Sequence, residues 1–329
     1  MRDDSFKLGK DYPAYGLFQP SFGDGGIYGP EPEYTTPMNV ILGLSDAYRA
    51  GKRLKLPRYE EFGVFAQELM ARMRECIERD RGTTPEGIPY VPLSMAENES
   101  YKPQTGCATI ARVAFHGEFE PDDRIVTDLL RLIDACDDRE GIPECTGWRS
   151  DQSIYTYSSV RFAQLLLQAG QREKAADYLY AFANHASASR VWREEQPVRE
   201  THSAEICGDM PHNWASVEFI RLVRNLVVLE TFTGVELLPG LPEEWLPRAG
   251  DSLVLEKTPT RFGKLSLELS VRGKGGYLLS VAREDGNQQP QYLRLHWAGK
   301  AVLDGGELEK SNGKYLLLLE EKQVCIELF

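Results

Sequence analysis

The chain has 329 residues, of which 42% are hydrophobic and 27% charged, a composition that excludes a disordered or collagen-like protein. At roughly 150 residues per domain, this length predicts two domains. The formal net charge of -12 excludes binding through bulk positive charge to a nucleic-acid backbone or an anionic lipid surface. We therefore expect neither a nucleic acid nor a membrane among the partners.

The N-terminal residues and the cysteines indicate where the protein is located and which covalent or metal cross-links it lacks. The first ten residues, MRDDSFKLGK, lack the apolar segment of a signal peptide. A cytoplasmic protein is therefore expected, unless the native N-terminus lies upstream of Met1. The 6 cysteines include no pair at CxxC spacing, so we predict neither a disulfide framework nor a zinc site. No cofactor is expected.

Residues 1–235 repeat one organisation, in which a long polar loop leads to an apolar helix, a short turn and a more amphipathic helix. Short turns reverse the chain direction, so the pattern predicts antiparallel helical hairpins. The predicted helices span 36–51, 58–80, 104–117, 122–137, 153–169, 171–186 and 212–232. The four long loops span 11–35, 81–103, 138–152 and 187–211.

Residues 236–329 change to the pattern of half-buried β-strands. Between Lys264 and Arg272, leucines and a valine occupy one face and polar residues occupy the other. Asp-Gly-Asn at 285–287 and Ser-Asn-Gly at 311–313 are favourable hairpin turns. The predicted strands span 264–272, 277–283, 292–297, 315–319 and 324–328. Short strands at this spacing predict an antiparallel β-sandwich over 236–329.

If short turns occupy one end of the helical hairpins, the four long loops must gather at the other end. Polar residues that are distant in sequence are then predicted to converge on one rim. The first loop contains Asp24 in a Gly-rich stretch that lacks the Lys-Ser/Thr of a phosphate-binding loop. The third loop contains Trp148, Arg149 and Asp151. Trp148 lies among polar residues, as a platform for a sugar ring would, and Asp151 can cap the next helix or bind a ligand.

The fourth loop concentrates aromatic, histidine and acidic residues, and a loop of this length inside a compact domain is usually functional. Asp209 and Pro211 can be explained as the start of the next helix, but this explanation leaves the rest of the cluster unaccounted for. No HExxH spacing is present, so no metal is predicted. The candidates in this loop and at its end are Trp192, Glu194, Glu195, His202, Glu205, Asp209, His212 and Trp214.

Three segments together resemble the six-hairpin glycosidases, which are (α/α)6 toroids, and most of all their α-L-rhamnosidase-like clan. They are the Trp-Arg-Glu-Glu loop at 192–195, the segment Asp-Met-Pro-His-Asn-Trp-Ala at 209–215, and a Pro-rich passage into the strands at 238–242 and 258–263. The resemblance implies a mainly helical partial toroid, then a C-terminal β-sandwich, and a glycosidase that acts on a carbohydrate.

The sequence departs from a complete toroid, because it supplies four inward helices where a full ring has six. The chain is therefore expected to correspond to the C-terminal part of such an enzyme. A homodimer or a further N-terminal portion would complete the ring, and an incomplete ring should expose an apolar edge. The resemblance also implies that the catalytic base lies on the Trp-Glu loop, as Glu194 or Glu195.

Inverting hydrolysis needs a protonated carboxyl for the leaving oxygen and a carboxylate that activates water, about 6.5–9.5 Å apart. We predict Glu194 or Glu195 as the base and Asp24 or Asp151 as the acid. The predicted substrate-binding residues are Trp148, Arg149, Trp192, His202, Glu205, Asp209, His212 and Trp214.

Two other functions are compatible with the sequence. A carbohydrate-binding or assembly fragment would have the same groove without a complete acid/base pair. A polysaccharide lyase on a similar toroid would use Tyr, His and Arg, which Tyr155, Tyr157, His202 and Arg149 could supply. The net acidity argues against a uronate polymer as the substrate.

Overall fold

The computed structural model describes residues 2–19, 21–22, 30–95, 117–136, 141–147, 152–197, 208–273, 275–284 and 291–329. Within these ranges there are seven α-helices: α1 Arg2–Lys7, α2 Thr35–Leu54, α3 Tyr59–Asp80, α4 Arg124–Ala135, α5 Thr156–Gln168, α6 Arg172–Asn184 and α7 Asn213–Val227. A single 3-10 turn is described at Glu243–Trp245. The helix predicted at 104–117 lies outside the described residues.

Three two-stranded sheets and two larger sheets complete the described secondary structure. The short strands are β1 Ser21–Phe22, β2 Pro30–Glu31, β3 Gly82–Thr83, β4 Pro89–Tyr90, β5 Ser153–Tyr155 and β6 Glu195–Pro197. The strands of the two larger sheets are β7 Val228–Glu230, β8 Val235–Leu237, β9 Ser252–Thr260, β10 Gly263–Val271, β11 Tyr277–Arg283, β12 Gln291–Leu295, β13 Ala301–Leu303, β14 Gly306–Glu307, β15 Lys310–Ser311, β16 Lys314–Leu319 and β17 Gln323–Leu328.

Helices α2 and α3 form an antiparallel hairpin, as their short connection predicts. The chain leaves α2 through Lys55, whose φ of 55° is left-handed. A Cβ at Gly51 would come within 2.4 Å of Tyr59 Cβ, and one at Gly63 within 2.8 Å of the Tyr48 ring. Small residues at these two positions therefore allow the helices to approach closely.

The two larger sheets share one hydrophobic core. Their strand orders are β14-β13-β17-β11-β10-β9 and β15-β16-β12-β8-β7. The alternating leucines of β10 (Leu265, Leu267 and Leu269) lie in the same buried cluster as Leu293 and Leu317 of the other sheet. Polar residues alternate with them, so the two-residue period does separate a buried face from an exposed one.

The sheets differ from the predicted region in two respects. Strand β8 pairs with β12 in parallel, so the region is not wholly antiparallel. It also begins earlier than residue 236, because Val228–Glu230 pairs with Val235–Leu237. Helix α7 consequently ends at Val227 and not at 232, since the next residues are used in strand pairing. The predicted turn at 311–313 is present, with φ values of 51° at Asn312 and 76° at Gly313, as a two-residue hairpin requires.

The chain forms two compact units. One comprises Met1–Leu165 with Ala181–Ser216, and the other Leu166–Tyr180 with Val217–Phe329. The unit that contains the two larger sheets thus also includes part of the helical sequence, and the division into domains at residue 235 stays a prediction. Among the described residues, no helix combines the length and apolarity that crossing a bilayer demands.

Replacing Leu267 with Ala should destabilise the sheets, because its side chain is 1% exposed in their shared core. A buried Leu-to-Ala change costs about 2–5 kcal/mol, and urea denaturation followed by circular dichroism measures this loss. Leu316→Ala is the matched control, since Leu316 is 55% exposed and should change stability by less than about 0.5 kcal/mol. Equal losses for the two variants would contradict the assignment of the buried face.

Candidate functional site

Strand pairing joins the predicted fourth loop to the residues that directly follow the third loop, so the helix predicted at 153–169 begins at Thr156 and not at 153. Strands β5 and β6 are antiparallel, with Tyr155 opposite Glu195 and Ser153 opposite Pro197. A second contact joins the first two loops, where Glu33 and Ser94 form an antiparallel bridge. The predicted convergence of loops is therefore observed in these two pairs. Convergence of all four loops stays a prediction.

Backbone hydrogen bonds fix a second segment beside β6. The Glu194 N–H donates to the Asp209 carbonyl at 3.1 Å, and the His212 N–H donates to the Trp192 carbonyl at 2.8 Å. On the other side, the Thr156 N–H at the start of α5 donates to the Glu194 carbonyl at 2.9 Å. Residue 194 is thus held from both sides, and its side-chain position is set by the backbone.

The Glu194 carboxylate lies partly exposed beside a pair of tyrosines. The Tyr155 hydroxyl donates to Glu194 Oε1 at 3.3 Å and is 2.7 Å from the Tyr157 hydroxyl. The side chain of Glu194 is 23% exposed, so the carboxylate contacts the protein and still reaches solvent. A carboxylate in this setting can accept a proton from a bound water molecule.

A histidine–aspartate pair lies next to Glu194. His212 Nδ1 is 2.7 Å from Asp209 Oδ1 and 4.0 Å from Glu194 Oε2. Since an ionised carboxylate can only accept, Nδ1 donates this hydrogen bond, and it lowers the pKa of Asp209 below its ordinary value. The ring is buried, and its Nε2 has no hydrogen-bond partner among the described residues.

Aromatic rings surround this pair. The Tyr157 ring stacks on His212 with centroids 5.4 Å apart, and Trp214 meets Tyr157 edge-on at 5.3 Å. The Arg161 guanidinium covers the Tyr157 ring at 4.6 Å. Trp214 is 49% exposed, although a large apolar side chain is usually buried. It offers an open aromatic surface next to the polar groups.

Two predicted site residues lie in the core and not at this surface. Glu195 is fully buried and accepts a 2.6 Å hydrogen bond from the Ser153 hydroxyl. Trp192 is 5% exposed, stacks on Phe182 and donates from Nε1 to the Phe182 carbonyl at 2.8 Å. One face of the indole packs on Phe182 and its N–H is bonded within the protein, so little of the ring reaches solvent, and the role of Trp192 in sugar binding stays a prediction.

The structure adds two residues to the predicted set. Tyr155 and Tyr157 were expected to function only in a lyase, yet they contact Glu194 and His212 directly. Their i, i+2 spacing at the start of a helix was the available sequence signal. The remaining predicted residues lie outside the described residues: Asp24, Trp148, Arg149, Asp151, His202 and Glu205.

The same cluster could hold a metal ion, since one potential ligand atom from each of Glu194, Asp209 and His212 lies within 4.8 Å of the others. Oxygen and imidazole donors suit zinc. Bonds of about 2.1 Å to a tetrahedral ion would place two donors roughly 3.4 Å apart. His212 and Asp209 are closer, at hydrogen-bonding distance, so a metal would have to separate them. The geometry favours the hydrogen bond.

No family model and no curated protein matches the sequence. Three of the solved structures that are similar are glycosidases. One named as a wild-type glycosidase has a TM-score of 0.49 and 14% identity over 63% of this chain and 55% of its own. A metal-independent alpha mannosidase from Streptococcus pneumoniae has a TM-score of 0.41 and 15% identity over 59% and 46%.

The third similar structure is a GH127 beta-L-arabinofuranosidase from Geobacillus stearothermophilus T6, with a TM-score of 0.39 and 9% identity over 96% of this chain and 57% of its own. This chain thus spans about half the length of these structures. At TM-scores below 0.5 and identities of this order, the similarities do not assign a function to this chain.

Replacing Gly208 with Ala should displace the Glu194 side chain. Gly208 has a φ of 82°, and a Cβ there would lie 2.1 Å from Glu194 Oε2. The variant should lose about 2–4 kcal/mol of unfolding free energy, from backbone strain and the clash together. Gly87→Ala is the control, because Gly87 has a φ of 83° and open space around it, so only the strain applies. Chemical denaturation that shows equal losses would contradict the close approach at Gly208.

Replacing His212 with Phe should raise the pKa of Asp209, because the ring stays while the Nδ1–H donor is lost. A carbon NMR titration of the aspartate carboxyls measures this change. The pKa of Asp4 is lowered by Lys7 and should be the same in both proteins. Because the folded pKa of Asp209 is depressed, its stabilising contribution exists above the unfolded pKa and disappears as pH falls through the folded value. An unchanged Asp209 pKa would contradict the pairing.

Proposed function

We propose that the chain provides the general base and part of the sugar-binding surface of a glycoside hydrolase. The observation that carries this proposal is the position of the Glu194 carboxylate, which is partly exposed, held by the Tyr155 hydroxyl and close to His212. Such a carboxylate can remove a proton from the water that attacks the sugar.

Glu194 suits the role of the base better than Glu195. Adjacent residues at a strand point to opposite sides, and here Glu195 points into the core, where it accepts from Ser153. Water bound for attack on a substrate cannot reach a fully buried oxygen. Glu194 has one oxygen on Tyr155 and the other facing the histidine, with part of its surface open to solvent.

The general acid must be another residue than Asp209. His212 lowers the pKa of Asp209, so this carboxyl is ionised near neutral pH and has no proton to donate. Carboxylate oxygens of Glu194 and Asp209 also lie within 4.8 Å of each other. This separation is shorter than the roughly 6.5 Å between the two carboxyl groups that leaves room for an attacking water. Asp24 and Asp151 stay our proposals for the acid of an inverting reaction.

The sugar is proposed to lie against Trp214. Exposed aromatic faces pack on the apolar side of a sugar ring, and carboxylates accept from its hydroxyls. Asp209 supplies such an acceptor at the edge of the aromatic cluster. Trp148, Arg149, His202 and Glu205 are proposed to add further contacts, and α-L-rhamnosidase-like specificity remains part of the proposal. A homodimer or an N-terminal portion is proposed to complete the helical ring.

A second candidate function is a polysaccharide lyase, favoured by the group formed by Tyr157, His212 and Arg161. A lyase removes a proton next to a uronate carboxylate and leaves a double bond in the product, so its reaction is followed by ultraviolet absorbance. A hydrolase adds water and leaves no double bond. The two candidates are therefore distinguished by the product of a single digestion.

Glu194→Gln should reduce hydrolysis of aryl glycosides by about 10²–10⁴-fold, because the amide keeps the size of the side chain but cannot take a proton. Affinity for free sugar, measured by calorimetry, should change little. Glu195→Gln should keep its activity, since an amide oxygen can still accept from Ser153. Glu268→Gln, at an exposed strand position, controls for the loss of one charge.

Trp214→Ala should affect binding and not catalysis. Sugar affinity should weaken by about 1–2 kcal/mol, because apolar contact with the ring is lost. Turnover at saturating substrate should be retained. If Glu194→Gln cleaves as fast as the unmodified protein, Glu194 is not the base. If the unmodified protein cleaves nothing and still binds sugar through Trp214, the carbohydrate-binding alternative replaces the hydrolase.

A further inference from the structure

A cavity of about 530 Å³ lies within the unit formed by Leu166–Tyr180 and Val217–Phe329. Its size falls in the range of roughly 300–1,000 Å³ that small-molecule sites occupy. Its walls are the first turns of α6, the 3-10 turn at Glu243–Trp245, the segment 296–299 and the side chain of Phe329. None of the residues proposed for hydrolysis lines it.

One wall is aromatic and fixed in place. Trp297 donates from Nε1 to the Phe329 carbonyl at 3.2 Å and meets Tyr277 edge-on at 5.5 Å. A Cβ at Gly299 would overlap the same carbonyl, so the glycine allows the C-terminal residue to lie this close. The indole therefore has a set orientation, and its ring lines the cavity.

The lining of the cavity also carries carboxylates. Asp177 projects from α6, while Glu243 and Glu244 begin the 3-10 turn. Tyr180 donates to Glu244, which lowers the pKa of that carboxyl, and burial together with this bond raises the pKa of Tyr180 to about 12. Near neutral pH the carboxyl is ionised and the phenol is neutral.

The basic side chains around the cavity are already paired. Arg172 donates to Glu173 at 2.8 Å, and His296 is 2.5 Å from Glu236, which Lys314 also contacts. The Arg272 guanidinium lies over the Phe329 ring and forms an ion pair with Glu327. Within the described part of the chain, no cationic side chain forms an ion pair with Asp177 or Glu243. The lining therefore has an excess of negative charge.

We propose that this cavity binds a small organic cation, an amine or quaternary ammonium compound with an apolar body. The ring face of an indole such as Trp297 attracts a cation through its quadrupole, and the carboxylates in the same lining supply the opposite charge. Leu238 and Leu241 provide apolar contact for the rest of the ligand. A neutral sugar could pack on the indole and donate to the carboxylates, but only a cation neutralises their charge.

Calorimetry with choline and with its neutral isostere 3,3-dimethylbutan-1-ol tests this proposal on the full chain. Choline should bind at least about tenfold more tightly than the isostere, and its affinity should fall as salt is added. Trp297→Ala should weaken choline binding by about 3- to 30-fold. Asp177→Asn, on the exposed surface of α6, should weaken it several-fold without a packing change.

Two controls separate this site from the proposed hydrolase site. Glu268→Gln removes an exposed charge outside the cavity and should leave choline binding unchanged. Glu194→Gln should also leave it unchanged, so the two proposals fail independently. Because Trp297 packs on Tyr277, its variant is accepted only if its circular dichroism matches that of the parent. Equal binding of choline and the isostere, tighter binding of neutral sugars, or no effect of Asp177→Asn would overturn the proposal.

Discussion

The antiparallel pairing of Ser153–Tyr155 with Glu195–Pro197 joins two distant segments, and its side-chain hydrogen bond links Ser153 to Glu195, which are 42 residues apart in sequence. Three hydrogen bonds extend this pairing to Thr156 at the start of α5 and to the segment that ends at His212. The candidate site depends on this arrangement, because its residues come from both of the joined segments. Backbone hydrogen bonds on both sides of Glu194 restrict the position of its carboxylate more than non-directional apolar contacts would.

The same pairing explains why two neighbouring glutamates differ in chemistry. Glu195 lies within the strand pair and turns into the core, where Ser153 satisfies it. Glu194 precedes the strand and turns outward, toward Tyr155 and His212. His212 in turn keeps Asp209 ionised, so this cluster combines two acceptors with an exposed tryptophan. An arrangement of acceptors and an aromatic face is suited to binding a polyol and activating water.

Periodicity predicted most helices and strands, because burial of one face follows the repeat of each element. Val228–Glu230 was predicted as helix because its apolar residues continue the helical run, and only pairing with β8 shows it to be a strand. The identity of the outward-facing glutamate depends on a three-residue strand that no pattern reveals. Trp192 has a polar sequence context, yet its contact with Phe182 buries it. In each of these three cases, pairing or packing against another segment of the chain determined the structure.

A crystal structure of the protein soaked with a monosaccharide that it binds tests the central claim most directly. We expect the sugar ring to pack on Trp214, with an oxygen of Glu194 about 3 Å from the water or hydroxyl that faces the anomeric carbon. Asp209 should accept from a sugar hydroxyl in the same complex. A sugar bound away from Glu194, or one whose anomeric carbon faces the opposite side, would contradict the role of Glu194 as the base.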